Sequence, residues 1–111
     1  MTTHDAIKAD TGKPDLTILP SRALEEVAKV FEAGAKKYSR SNYQNGNGLA
    51  WLRIAASLLR HTFAWLRRED NDPETGLSHM AHAACCTLML LHYITDKERY
   101  GSSDNRDGDQ V

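Results

Sequence analysis

The stretch REDNDPETGLSHMAH, residues 68–82, gathers Glu69, Asp70, Asp72, Glu74, His79 and His82 within fifteen positions. Carboxylates and imidazoles at that density could hold a divalent cation for chemistry on phosphate. His61 joins them from upstream. It lies eight residues before Glu69, about 12 Å along a helix, while His79 and His82 lie seven and ten residues after Asp72, about 10 to 15 Å along the next. If the two helices pair antiparallel across their short connection, the three imidazoles share one level. His79 and His82, spaced i and i+3, then fall on one face. Glu69 would end a helix at its negative pole, where a carboxylate needs a compensating cation.

A plainer reading fits the same residues. A histidine on an apolar helix is commonly a hydrogen-bonded core residue, Asp72 and Pro73 form an N-cap and first-turn pair, and Glu74 suits a helix first turn. Spacing alone leaves both readings open. The basic groups that could meet an anionic substrate are Lys13, Lys36, Lys37, Arg53 and Arg60. Of these, Lys37, with Tyr38 and Asn42, enters a loop rich in Ser, Asn and Gly that could hold a phosphate or a base. No phosphate loop of the Gly-x-x-x-x-Gly-Lys-Ser/Thr type occurs, nor a dinucleotide glycine fingerprint or a nucleophilic triad.

The elements that must position these groups are helical. Apolar residues recur with helical period over about 22–38, 49–68 and 73–97, and no stretch alternates long enough for a strand, which predicts an all-α small bundle. Ser21 is placed to cap the first helix. The second carries Trp51, Leu52, Ile54, Ala55, Leu58, Leu59, Phe63, Trp65 and Leu66 over a surface wider than one neighbour covers. It is expected to be largely buried, at the centre of the bundle or against another subunit. GKPDLTILP, residues 12–20, reads as an extended arm. Residues 1–12 read as a flexible N-terminus, 13–97 as the single domain, and 98–111, almost without apolar content, as a mobile tail.

At 111 residues the chain holds one core, and its formal charge of -1 argues against a dedicated nucleic-acid binder. No stretch resembles a signal peptide or a membrane span, so a cytoplasmic protein without membrane partners is expected. Cys85 and Cys86, adjacent in an apolar run, read as core thiols.

The runs GKPDLTILPSRALEEVAKVFEAGAKKYSRSNYQNG and LLRHTFAWLRREDNDPETGLSHMAHAACCTLMLL, with GA-x-K-Y, R-H and E-x-x-D-x-E-x-G-x-x-H-x-x-H in order, resemble the phage-encoded dATP/dGTP diphosphohydrolases. These are relatives of the MazG-like all-α nucleotide pyrophosphatases. The resemblance covers about residues 12–93 and implies metal-dependent hydrolysis of a purine deoxynucleoside triphosphate, dATP or dGTP, to the monophosphate and pyrophosphate. It also implies a setting in phage nucleotide metabolism, such as the making of 2-aminoadenine DNA, in the host cytoplasm. MazG-like enzymes hold Mg²⁺ with E-E-x-x-E and E-x-x-D helices; this chain offers His61, His79 and His82 there, and Glu69 and Asp72 keep the E-x-x-D spacing in the connection. Imidazoles widen the expected metals to Mg²⁺, Mn²⁺ or Co²⁺, with Zn²⁺ ranked below them. The expected ligands are His61, Glu69, Asp72, His79 and His82, with Glu74 as general base and Lys37, Tyr38, Asn42 and Arg60 on the substrate.

A homodimer or homotetramer is expected, as is the absence of stable nucleic-acid binding. The competing expectations are a helical DNA-binding regulatory module, which would need an exposed basic recognition helix, and a non-catalytic interaction module that keeps the metal for structure.

Overall fold

The computed structural model describes residues 6–107. Three long helices, α1 (Ser21–Lys37), α2 (Trp51–Leu66) and α3 (His79–Thr95), are followed by a short α4 (Lys97–Tyr100). No strand forms among the described residues; a single antiparallel bridge joins Asn71 and Ser78. The chain is all-α, as its periodicity requires.

α3 is the central element, because it packs against both α1 and α2. Its sequence is apolar nearly all round, the pattern of a helix with neighbours on two sides. Trp51 at the start of α2 stacks on Tyr93 near the end of α3, while His61 further along meets His79 at the start of α3, so the two run antiparallel. Two core clusters result. One joins Trp51, Ile54, Cys86, Tyr93 and Tyr100; the other joins Val27, Val30, Ala81 and Cys85. Both cysteines are buried, unpaired thiols, and burial pushes the Cys85 thiol up to about 12.

α2 is less covered than its breadth of apolar residues suggests. Trp51, Ile54 and Ala64 are buried, but Leu59, Phe63, Trp65 and Leu66 face outward in the single chain. Ser21, expected to cap α1, is instead its first residue, and Pro20 precedes it without a side-chain cap bond. The arm is little covered: Leu16 and Ile18 remain mostly exposed, and its short 3₁₀ turn is capped by Asp15, which accepts from Thr17 N–H. With this arm extended, the radius of gyration is 18.0 Å, above the about 13 Å of a compact domain this long. Residues 1–5 of the expected flexible N-terminus lie outside the described residues.

The third helix begins at His79, six residues later than the Asp-Pro signature suggests. Asp72 does not cap a helix. Its carboxylate accepts from the backbone N–H groups of Glu74 and Thr75, at 3.1 and 2.9 Å, closing a local turn that competes with the helix. Gly76 continues it at φ +72, a left-handed conformation that favours glycine. Ser78 is the true cap, accepting from Met80 N–H at 3.1 Å.

The expected mobile tail, 98–111, is packed as far as Asn105, and its residues 108–111 lie outside the described residues. Asp96 caps α4, Tyr100 is buried, and Arg99 donates to the carbonyls of Gln44 and Gly46 at 2.9 and 3.0 Å. Asn105 accepts from the Leu52 N–H at 3.0 Å, satisfying an open donor at the start of α2. Polar side chains do here what apolar content does elsewhere, which composition alone conceals.

Candidate metal centre and cleft

α2 closes in a turn that determines where Glu69 goes. Arg68 N–H bonds the Trp65 carbonyl at 2.9 Å and Glu69 N–H bonds the Ala64 carbonyl at 3.0 Å, the Schellman pattern, with Arg68 at φ 73 where glycine is usual. The chain then folds on itself: His79 N–H donates to the Asp70 carbonyl at 2.9 Å and Asp72 N–H to the Leu77 carbonyl at 2.8 Å. This closed loop carries Asp72 back beside the first turn of α3.

His61, Asp72 and His79 each offer a donor atom within 4.8 Å of the other two. Nδ1 of His61 and Nδ1 of His79 are 2.8 Å apart, and His79 Nε2 is 2.8 Å from Glu69 Oε1. His79 is 3% exposed, so both ring nitrogens of a buried imidazole have defined partners. His82 stacks on His61, with ring centroids 4.4 Å apart, and its Nε2 meets the Thr75 hydroxyl at 2.7 Å. The Thr75 hydroxyl also donates to Asp72 Oδ2 at 3.3 Å, tying the turn to the imidazoles.

The electrostatics favour a cation. Burial, then the neighbouring His82 and His79, hold the His61 imidazole below its ordinary range, and burial does the same to His82 against the pull of Asp72. Burial pushes the Asp72 carboxyl up, but bonds from Thr75 and the adjoining imidazoles outweigh it and leave it low. A neutral His61 imidazole and an ionised Asp72 carboxylate are metal-ligand states, and His82 beside them is held neutral as well.

The centre forms one wall of an open cleft of about 1010 Å³. Arg60, His61, Asp72, Glu74, Thr75, His79 and His82 line that side; Lys37, Tyr38, Asn42 and Tyr43 face them from the end of α1 and the loop after it, over Phe31, Cys85 and Met89. Lys37 Nζ reaches across to Glu74 Oε1 at 3.2 Å, and this contact raises the Lys37 pKa. The loop is held from behind. Tyr93 hydroxyl donates to the Tyr43 carbonyl and accepts from Leu49 N–H, while Tyr43 hydroxyl meets His92 Nδ1 at 3.0 Å.

Every residue expected at the site from the sequence lines this cleft except Glu69, which stands behind His79. His82 lines the cleft but lies outside the three-residue group. Lys13 is on the exposed arm, and Arg53 lines an adjoining recess. The sequence reading missed Thr75, whose place inside DPETG, between a turn-forming aspartate and a glycine, was the available signal. It also missed Ser57, one helical turn from His61.

Fold and site together define a helical bundle with an imidazole–carboxylate group in the wall of a basic-rimmed cleft. Within that class the chain belongs to the family described as dATP/dGTP diphosphohydrolase, N-terminal, whose sequence model matches residues 3–103. It is similar to a protein named dATP/dGTP diphosphohydrolase from Salmonella phage PMBT28, with 37% identity over 100 residues, covering 90% of this chain and 32% of that protein. The chain thus spans about a third of the length of that relative. No solved structure matches it. No helix among the described residues is long and apolar enough to cross a membrane.

Proposed function

We propose that the cleft hydrolyses purine deoxynucleoside triphosphates, dATP, dGTP or both, to the monophosphate and pyrophosphate with the help of a divalent cation. The observation that carries this reading is the meeting of His61, Asp72 and His79 donors within 4.8 Å in the wall of a cleft rimmed by Lys37 and Arg60. The donor set fits a metal: two imidazole nitrogens and a carboxylate suit Mn²⁺ or Co²⁺, admit Mg²⁺ and could also hold Zn²⁺. Both cysteines are buried with raised pKa values, so the ligands are nitrogen and oxygen alone. A bound cation would neutralise phosphate charge and make a water acidic enough to attack.

The chain's own groups do the rest. Lys37 and Arg60 bind phosphate oxygens, and Tyr38 and Asn42 hold the base and sugar. Phosphate arriving at Lys37 competes with Glu74 for the ammonium, which releases that carboxylate to take a proton from water. The water oxygen bonds the α-phosphorus as the bond to the α–β bridging oxygen breaks, and pyrophosphate leaves. His82, neutral and stacked on His61, fixes that ring and links it through Thr75 to Asp72. The products, and a place in phage nucleotide metabolism such as 2-aminoadenine DNA synthesis, belong to this proposal. So does self-association, supported by the exposed Leu59, Phe63 and Leu66 of α2.

The DNA-binding alternative needs an exposed basic helix after a short turn. α3, the helix in that place, is packed between α1 and α2 and carries no Lys or Arg. The test is release of pyrophosphate from a panel of ribo- and deoxynucleoside triphosphates with Mg²⁺, Mn²⁺, Co²⁺ or chelator, with the products separated by chromatography. Purine deoxynucleoside monophosphate and pyrophosphate, lost with chelator, are expected. Absence of turnover with every metal would leave a structural centre in an interaction module.

A further inference from the structure

We propose that Glu69 is a positioning residue that locks His79 in the tautomer presenting a bare Nδ1 toward His61 and Asp72. This rests on the reading of His61, Asp72 and His79 as a metal centre, but its first test does not need the metal.

The argument starts from what a carboxylate can do at His79 Nε2. A carboxylate oxygen accepts and has no proton to give, so the 2.8 Å contact with Glu69 Oε1 places the ring proton on Nε2. In the neutral ring, the state in which an imidazole can serve as a ligand, that is the one ring proton, and Nδ1 is left as a lone pair. That lone pair lies 2.8 Å from His61 Nδ1, so the proton between the two rings belongs to His61. The pairing of a metal-facing nitrogen with a carboxylate on the far nitrogen is how proteins orient histidine ligands generally.

The backbone around Glu69 is arranged for this contact. Arg68 holds φ 73, a conformation disfavoured for a residue with a Cβ, and the turn it completes bonds Glu69 N–H to Ala64. One residue on, the Asp70 carbonyl accepts the His79 N–H, so the main chain of residues 69–70 is tied to α2 and to α3 at once. Glu69 is half-exposed while His79 is buried, which sets the carboxylate as a plug on the outer side of the ring and puts the opposite nitrogen toward the cleft.

The test compares wild type, Glu69→Gln and Glu69→Ala. Ring ¹⁵N shifts of the metal-free proteins read the tautomer, and calorimetric titration with Mn²⁺ reads affinity; thermal melting checks that each variant is folded. In wild type, and in Glu69→Gln, whose amide oxygen also accepts, His79 is expected as the Nε2–H form. Glu69→Ala is expected to lose that form and to bind Mn²⁺ about 10- to 100-fold more weakly, with Glu69→Gln within a few-fold of wild type. If Glu69→Ala keeps the tautomer, the proposal is overturned. If Glu69→Gln loses as much affinity as Glu69→Ala with the tautomer unchanged, Glu69 is a direct ligand and the proposal also fails. If wild type binds no Mn²⁺, the metal-centre reading fails, and the tautomer comparison still decides the lock between Glu69 and His79.

Discussion

Tyr93 and His79 sit near opposite ends of α3, both almost wholly buried, and their polar atoms meet different partners. The Tyr93 hydroxyl lies between two backbone groups, the Tyr43 carbonyl and the Leu49 N–H. Arg99 and Tyr100 likewise bond loop carbonyls, so at this end side chains satisfy main chain. The His79 nitrogens meet other ionisable side chains, His61 and Glu69, and the groups around them have pKa values moved by burial. One end closes its hydrogen bonds within the fold and gains stability. The other buries imidazoles against each other, an arrangement that a cation would complete.

The sharpest way to break this contrast is His79→Ala. Turnover is expected to fall by at least about 10³-fold, the several kcal/mol that metal-assisted charge stabilisation supplies, while circular dichroism shows the helices retained. Wild-type turnover at saturating metal would remove the functional half of the comparison. At the other end, Gly48→Ala is expected to destabilise the fold by about 3 kcal/mol, read by urea denaturation. Gly48 holds φ +76, and an added Cβ would stand 2.7 Å from Cζ of the buried Tyr93 ring. Tyr93→Phe is expected to be milder, about 1–3 kcal/mol, because it leaves two backbone groups without their partner.

The smallest effect separates the two ends by pH. His61 and His82 titrate below their ordinary 6.5 in the fold, so the unfolded chain takes up protons first. Stability present above pH 6.5 is lost as pH falls toward their lowered values. Cys86 and Tyr93, which share a core cluster, have the opposite sign: the unfolded chain loses their protons first, from 9.0 for the thiol, and the fold holds both above their ordinary values. Metal-free denaturation across this range should show both limbs, and only the acid limb should shrink in a His61→Gln, His82→Gln double variant. An acid limb unchanged in that variant would assign it to other groups.

Much of the frame was legible in the sequence, because apolar period is a strong signal where a helix has one covered face. α1 and α2 are found within a few residues. The start of α3 was misplaced since Asp72-Pro73 satisfies the rule for a helix start; Thr75 and Gly76 made a turn more favourable, and Ser78 was the cap. The tail was misread for a related reason. Tyr100 is its one large apolar anchor, and Arg99 and Asn105 act through carbonyl and N–H groups that composition does not reveal. At the site, the residue types were readable and the roles were not. Glu69 and His79 share the ligand-rich stretch, but only the left-handed Arg68 and the bond from His79 N–H to Asp70 show which of the two stands behind the other.

The most direct measurement is anomalous diffraction from crystals grown with Mn²⁺, collected above the manganese edge. The expected result is one strong peak bounded by the His61 imidazole, His79 Nδ1 and the Asp72 carboxylate, at ligand distances of about 2.0–2.2 Å, with Glu69 still on His79 Nε2. Strong peaks only at other residues, or His61 and His79 still bonded directly to each other at full Mn²⁺ loading, would contradict it.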